Sequence, residues 1–374
     1  MSSSFWLEEP APALPRRRLD GHVDVAIVGG GVTGCSCALT CAENGLRVRL
    51  HEAREIAGGA SGRNGGFALH GGAMAYDAAR ERFGAERAAA FWRWTERALD
   101  RLASLAGDAF RREGSLRLAT NAAEADCLRV EYDALLADGF DVEWRDGLAG
   151  PLAAFEAGLF HPEDGAIQPA RWVRRLAQRA AEAGADIREH EPVERPEELA
   201  ADNVVIATDG YTHGLVPELD AAIRPTRGQV TATDRLPDLL FPRPHYTYDG
   251  FRYWHQTSGG RLIVGGFRDR ALDEEWTREE ATTPLIQLAL EEFATKLIGR
   301  RPPITNRWAG IFGSTDDLLP LVGPVPGHDG LWVAAGYSGH GNVMGLACGD
   351  LVAQAILGRM PRELELFDPA RLLE

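Results

Sequence analysis

Lysine is almost missing from this chain: of 40 basic residues only Lys296 is a lysine, and the others are arginine. Any mechanism that needs an amine side chain beside its reacting atoms has that one candidate, and Lys296 falls in a stretch, 291–298, that reads as helix. Cysteine is scarce as well. Cys35, Cys37, Cys41, Cys127 and Cys348 are too few and too unevenly spread for a disulfide framework, and no Cys/His set has zinc spacing, so no metal is expected. Three of them share one expected helix and read as small packing residues in a reducing compartment. No apolar run approaches the ~20 residues a membrane span needs. The basic run Arg16-Arg17-Arg18 is followed by Leu19-Asp20-Gly21-His22-Val23-Asp24, too polar for a secretory signal, which makes the cytoplasm the expected location. Positive charge is not in excess either: a formal net charge of −15 argues against a nucleic-acid partner, which needs a basic face to neutralise phosphates.

What remains is an ordinary globular composition, 45% hydrophobic and 25% charged over 374 residues, enough for two cooperating domains. Residues 23–52 run as an apolar strand, a glycine-rich turn, a small-residue helix stopped by Gly45, and a second strand. That is a βαβ unit. Similar apolar strands at 203–207 and 330–335 each lead into a glycine turn, as expected for a parallel sheet buried on both faces. Residues 85–106 read as an amphipathic helix. Within 224–266, Tyr246, Tyr248, Phe251, Tyr253 and Trp254 occur in alternating apolar and polar stretches that suggest antiparallel strands. The expected fold class is α/β, α+β overall. A discontinuous dinucleotide-binding Rossmann-type domain (1–85, 146–218 and 305–374) is joined to an antiparallel-sheet substrate domain (86–145 and 219–304).

Gly29, Gly31 and Gly34 satisfy G-x-G-x-x-G between a strand and a helix, and Glu52 ends the second strand 23 positions after Gly29. Gly29 is expected to make the turn, Gly31 to let a pyrophosphate approach the helix N-terminus, and Gly34 to pack helix on strand, while Glu52 accepts from the ribose hydroxyls. This much fits FAD and NAD alike. The loop Ala60-Ser61-Gly62-Arg63-Asn64-Gly65-Gly66 favours FAD, because its small residues let a large planar ring lie against the backbone, and Arg63 carries charge toward the pyrophosphate, the ring or the substrate.

With Phe5-Trp6-Leu7-Glu8, Arg224-Pro225-Thr226-Arg227-Gly228-Gln229, Arg261-Leu262-Ile263-Val264-Gly265-Gly266 and Gly336-Tyr337-Ser338-Gly339-His340-Gly341 in the same order, the chain resembles the glycine oxidase/D-amino-acid oxidase superfamily of FAD enzymes. It is most similar to the branch containing gamma-glutamylputrescine oxidase. The resemblance implies FAD across both domains, with loop 60–66 along the flavin. Gly336, Gly339, His340, Gly341 and Asn342 would offer backbone N–H groups and helix-dipole charge to its pyrimidine end. Tyr253, Trp254 and His255 would face the substrate side, and alternation puts Tyr253 and His255 on one face and Trp254 on the other.

Three departures matter. Relatives with covalent flavin use a cysteine whose matching place here is close to Gly310, with no cysteine nearby, so non-covalent FAD is expected. Lysines that hold a substrate carboxylate or activate oxygen are matched by Val343 and Ile263.

The implied activity is oxidation of a primary or secondary amine at its C–N bond, by hydride transfer to flavin N5, to an imine that water hydrolyses. Electrons then pass to oxygen or another acceptor. The candidate catalytic residues are His340, Tyr253 and His255, each with core packing as the alternative. Arg227 has two readings, a carboxylate or flavin partner and an ion pair at the domain junction, and Asp316-Asp317 reads as an exposed acidic turn. Two other functions stay open: amino-acid oxidation with Arg63 or Arg227 holding the carboxylate, and a flavin-binding subunit that needs a partner for turnover.

Overall fold

A strand buried on both faces must place apolar side chains to either side, and Val23–Val28 does so. Val25 and Ile27 enter one core with the cysteines of the following helix, while Val23, Ala26 and Val28 enter a second core with Val204, Ile206 and Val333. The computed structural model describes residues 3–15 and 17–373; Arg16 of the basic run, and residues 1, 2 and 374 of the expected domain ends, lie outside the described residues.

Val23–Val28 is central to a six-stranded sheet in the order Leu321–Pro324, Leu331–Ala335, Ala201–Ile206, Val23–Val28, Val48–His51, Asp186–Arg188. Every pairing is parallel except that of the edge strand Leu321–Pro324. The helix Val32–Glu43 packs beside the helix Gly341–Ile356, and both contact this sheet. Glycines permit that close approach: a Cβ at Gly345 would come within 2.6 Å of Val32 and one at Gly349 within 2.3 Å of the Thr33 carbonyl.

The second sheet has eight strands in the order Ile304–Ser314, Arg224–Arg235, Arg261–Gly266, Arg252–Gln256, His245–Thr247, Ser115–Ala119, Ala157–His161, Glu143–Arg145. It is antiparallel apart from the pairing of His245–Thr247 with Ser115–Ala119. One of its faces is closed by the helix Pro284–Ile298, where Trp254, fully buried, packs with Phe241, Leu262 and Val264. Hydrogen-bond ladders place Ile304–Ser314 and Ala157–His161 in this sheet rather than with the dinucleotide segments expected from 305 and 146 onward. A small third sheet, Phe67–Ala68, Gly165–Ile167 and Phe110–Arg111, carries the chain from the glycine loop toward the second sheet. Among the described residues no helix is long and apolar enough to cross a membrane.

Candidate active site

The three fingerprint glycines differ in what constrains them. Gly29 has φ +112°, and a Cβ there would stand 2.5 Å from the Ala207 carbonyl oxygen; one on Gly34 would stand 1.9 Å from that of Gly29. Both are demanded by the backbone itself. At Gly31 a Cβ would meet only the Ser61 hydroxyl, at 2.9 Å, so the space in front of the helix N-terminus is open. Gly31 caps that helix without a side-chain hydrogen bond. The Glu52 carboxylate lies beside this mouth, accepting from the Gly30 N–H at 2.6 Å and the Arg54 N–H at 2.8 Å. These features form a cradle for an anionic pyrophosphate and its ribose, with donors and dipole aimed outward.

The loop 60–66 is held from outside, carbonyl by carbonyl. Ser4 Oγ donates to Gly62 O at 2.8 Å, Trp308 Nε1 to Arg63 O at 2.9 Å, Trp6 Nε1 to Asn64 O at 2.8 Å, and His255 Nε2 to Gly65 O at 3.0 Å. The Ile167 N–H then donates to Gly66 O at 2.8 Å. Ser61 Oγ accepts from the Val32 N–H at 3.0 Å, which joins the loop to the fingerprint helix. The Asn64 and Asn342 amides exchange hydrogen bonds at 3.3 and 3.2 Å, joining it to the second helix. Arg63 is turned into the scaffold: its Nε donates to Gly58 O at 2.8 Å and Nη1 to Ala309 O at 3.3 Å, and Glu280 lies 3.7 Å away. A Cβ at Gly310 would be 2.8 Å from that of Arg63, so a larger residue there would press on the loop.

Tyr253 and His255 share the face toward this loop, as alternation predicts, and Trp254 does not. The Tyr253 ring would touch a Cβ at Gly65 at 2.6 Å, and Phe67 meets the rings of both Tyr253 and His255 edge-on. His255 also stacks on Trp6 with ring centres 6.0 Å apart. Since the Gly65 carbonyl can only accept, Nε2 of His255 carries its proton. Burial pulls His255 down to about 3 and His340 to about 4, and pushes Tyr253 up to about 12, so all three are neutral near pH 7.

His340 precedes the helix Gly341–Ile356, whose N-terminus has no side-chain cap. Its Nδ1 is buried without a hydrogen-bond partner among the described residues. The turn that carries it is fixed by Asp209, whose two oxygens accept from the Gly313 and Gly336 N–H groups at 2.9 Å each. Sequence reasoning missed Asp209. Its only local signal is its place three residues past the strand Ala201–Ile206, at a left-handed φ of +47°.

Other candidates resolve differently. Arg227 is buried in a forked ion pair with Glu275, both contacts at 2.9 Å, which is the ion-pair reading. Asp316 faces Arg224, and Asp317 is held by Arg371. Ile263 and Val343 are buried in the main core, while Lys296 is on the outer helix Pro284–Ile298. His70, His161 and Asp164, separated by up to 94 positions, offer ligand atoms within 4.8 Å of one another, a grouping that no zinc spacing announces. Asp164 there accepts from His70 Nδ1 at 2.7 Å and Ser115 Oγ at 2.6 Å. A cavity of about 430 Å³ reaches Trp6 and His255 from Arg111, Gln168 and Arg261, but is not lined by Tyr253, His340 or the glycine loop.

Comparison with known proteins gives the family and the fold. The family model described as FAD dependent oxidoreductase (DAO) matches residues 24–355. A gamma-glutamylputrescine oxidoreductase of Escherichia coli (strain K12) is 28% identical over 398 residues, covering 98% of this chain and 91% of that one. A probable oxidoreductase, OrdL, of Rhizobium meliloti (strain 1021) is 28% identical over 407 residues, covering 96% and 88%. In fold, the crystal structure of glycine oxidase from Geobacillus kaustophilus superposes with a TM-score of 0.75 at 24% identity, covering 95% of this chain and 99% of that one.

Proposed function

Because this chain belongs to the DAO family of FAD-dependent oxidoreductases, we propose that it oxidises the C–N bond of a primary or secondary amine to an imine that water then hydrolyses. The observation that carries the reading is the setting of Tyr253 and His255 against the glycine loop, where burial holds them, like His340, in their neutral forms. An amine can give up a hydride from its α-carbon only when its nitrogen lone pair is free. A partly dehydrated site without an acid partner favours the uncharged amine over the ammonium.

Bound FAD supplies the hydride acceptor. The mouth at Gly31 and the helix Val32–Glu43 receive its pyrophosphate, and Glu52 takes the ribose hydroxyls. Loop 60–66 and the uncapped N-terminus at Gly341 would hold the ring, where the helix dipole would stabilise negative charge. Tyr253 and His340 border the substrate. His255, through the Gly65 carbonyl, positions the loop. The six-stranded sheet thus carries the cofactor and the eight-stranded sheet roofs the reacting end. Non-covalent attachment is part of this reading, supported by the lack of a cysteine near Gly310, which packs on Arg63.

The test is the visible spectrum of the purified protein before and after anaerobic mixing with a panel of amines, followed by acid precipitation. The reading expects flavin absorbance that an amine bleaches, and yellow colour released to the supernatant. A yellow protein that no amine bleaches would overturn it in favour of a subunit that needs a partner.

A further inference from the structure

Strand pairing brings three potential metal ligands together away from the glycine loop. The strand Phe67–Ala68 pairs with Gly165–Ile167, which sets His70, two residues past the first, beside Asp164, one residue before the second. His161 ends the strand Ala157–His161, where it lies opposite Ser115 in the eight-stranded sheet. The ligand atoms of His70, His161 and Asp164 all lie within 4.8 Å of one another. The His70 and Asp164 side chains are 4% and 2% exposed, and His161 is buried as well.

Asp164 is held as a ligating carboxylate must be. Its Oδ1 accepts from the His70 backbone N–H at 2.9 Å and from His70 Nδ1 at 2.7 Å, and its Oδ2 accepts from Ser115 Oγ at 2.6 Å. An ion pair between His70 and Asp164 accounts for those two residues but not for the third. The His161 ring stands edge-on to that of His70, with centres 5.3 Å apart, and its Nδ1 is buried without a hydrogen-bond partner among the described residues. A buried ring nitrogen left in that condition is unfavourable, and a ligand in the cluster relieves it.

The surrounding charge suits a cation. Glu96, and Glu163 in its pair with Arg112, are near enough for their fields to act on His70. Arg117, whose field reaches His161, is itself engaged by Glu131 and Asp249, each at 2.5 Å. Two imidazoles and one carboxylate suit a first-row divalent ion, whereas calcium and magnesium prefer an all-oxygen shell. Tetrahedral zinc, with bonds of about 2.0–2.1 Å, needs its ligand atoms roughly 3.3 Å apart, which small rotations of the two rings can reach.

We propose that His70, His161 and Asp164 bind one zinc ion, which clips the segment after the glycine loop to the eight-stranded sheet and keeps a fourth coordination position for water. No local spacing announces such a site, because His70 and Asp164 are 94 positions apart. The inference does not depend on the proposed amine oxidation.

The experiment uses the FAD-loaded enzyme after removal of metal by a chelator. Zinc is titrated in competition with a chromophoric chelator, and cobalt(II) is titrated separately as a spectroscopic probe whose ligand-field bands lie to the red of oxidised flavin. The expected result is one zinc per chain, a thermal midpoint raised by zinc, and cobalt bands without thiolate charge transfer. His161→Gln and Asp164→Asn should each weaken zinc binding by about 100-fold or more, and Ser115→Ala, which only loosens the carboxylate, by about 10-fold. Failure of the unaltered enzyme to bind zinc or cobalt overturns the inference. Thiolate charge transfer, or zinc affinity unchanged in His161→Gln and Asp164→Asn, places the metal elsewhere and overturns it too. Should Asp164→Asn lose its flavin, His161→Gln decides, since His161 Nδ1 supports no hydrogen bond in the fold. If both lose it, Ser115→Ala decides, and unchanged affinity there sinks the proposal.

Discussion

The two glycine-rich segments of the site are built on opposite principles. The fingerprint Gly29–Gly34 is shaped by backbone packing, with Gly34 pressed on Gly29 inside the turn and Gly29 on Ala207 at the end of the paired strand Ala201–Ile206. Loop 60–66 takes its shape from donors elsewhere in the chain, Ser4, Trp6, His255 and Trp308. Backbone sterics, within the turn and against the paired strand, make a phosphate cradle that a strand–turn–helix of this spacing reproduces in a parallel sheet. Remote clamps make a surface for a particular ring, and that surface depends on both sheets at once.

The largest effect separating the two is expected within the fingerprint. Gly34→Ala puts a carbon 1.9 Å from the Gly29 oxygen and should destabilise by roughly 3 kcal/mol or more, abolishing recovery of folded protein. Gly31→Ala meets only a movable hydroxyl. It should leave urea unfolding of the apoprotein unchanged while lowering FAD affinity, because the methyl occupies the approach of the phosphate. If Gly31→Ala instead unfolded the protein as Gly34→Ala does, the division between scaffold glycine and ligand glycine would be wrong.

Next in size is release of a clamp. Trp308→Phe and Trp6→Phe keep the aromatic body but leave the Arg63 or Asn64 carbonyl without its indole donor, which costs roughly 1–3 kcal/mol for a buried group. Trp308 is fully buried, so its variant should suffer more. The loss should appear mainly as weaker FAD retention, measured by equilibrium release of flavin, since the loop is what the clamps shape. Unchanged flavin affinity in both variants would mean that the loop holds its form without them.

This contrast also explains which features are legible in the chain itself. The βαβ unit and the opposition of Trp254 to Tyr253 and His255 follow from periodicity and spacing inside short segments, and the structure reproduces them. The Trp308 to Arg63 contact spans 245 positions and the His255 to Gly65 contact 190, and neither leaves a local pattern. Arg63 and Arg227 look alike as letters. What separates them is which carboxylate or carbonyl the fold brings near, and that is decided by sheet pairing. The strand Ile304–Ser314 reads as part of the dinucleotide segments for a similar reason: its alternation does not say which ladder it joins.

The smallest effect, for one group over the first pH unit below 6.5, is expected from acid. Burial lowers His161 to about 4 and His245 and His255 to about 3, and all three lie on strands of the eight-stranded sheet. Below the ordinary histidine value of 6.5 the unfolded chain binds protons that the folded chain refuses. Stability is therefore unaffected above that pH and falls as pH drops from about 6.5 toward 4, by up to about 1.4 kcal/mol per pH unit for each histidine. In the six-stranded sheet His51 is also lowered by burial, but Glu191 opposes that shift. Acid should therefore loosen the remotely held loop before the fingerprint. Hydrogen exchange at pH 5, corrected to the intrinsic rates at pH 7, should accelerate in residues 60–66 and 252–256 while Val23–Val28 stays protected. Simultaneous loss of protection in both would show that the two segments open as one unit, and that the dependence of the loop on His255 is not separable from the fold as a whole.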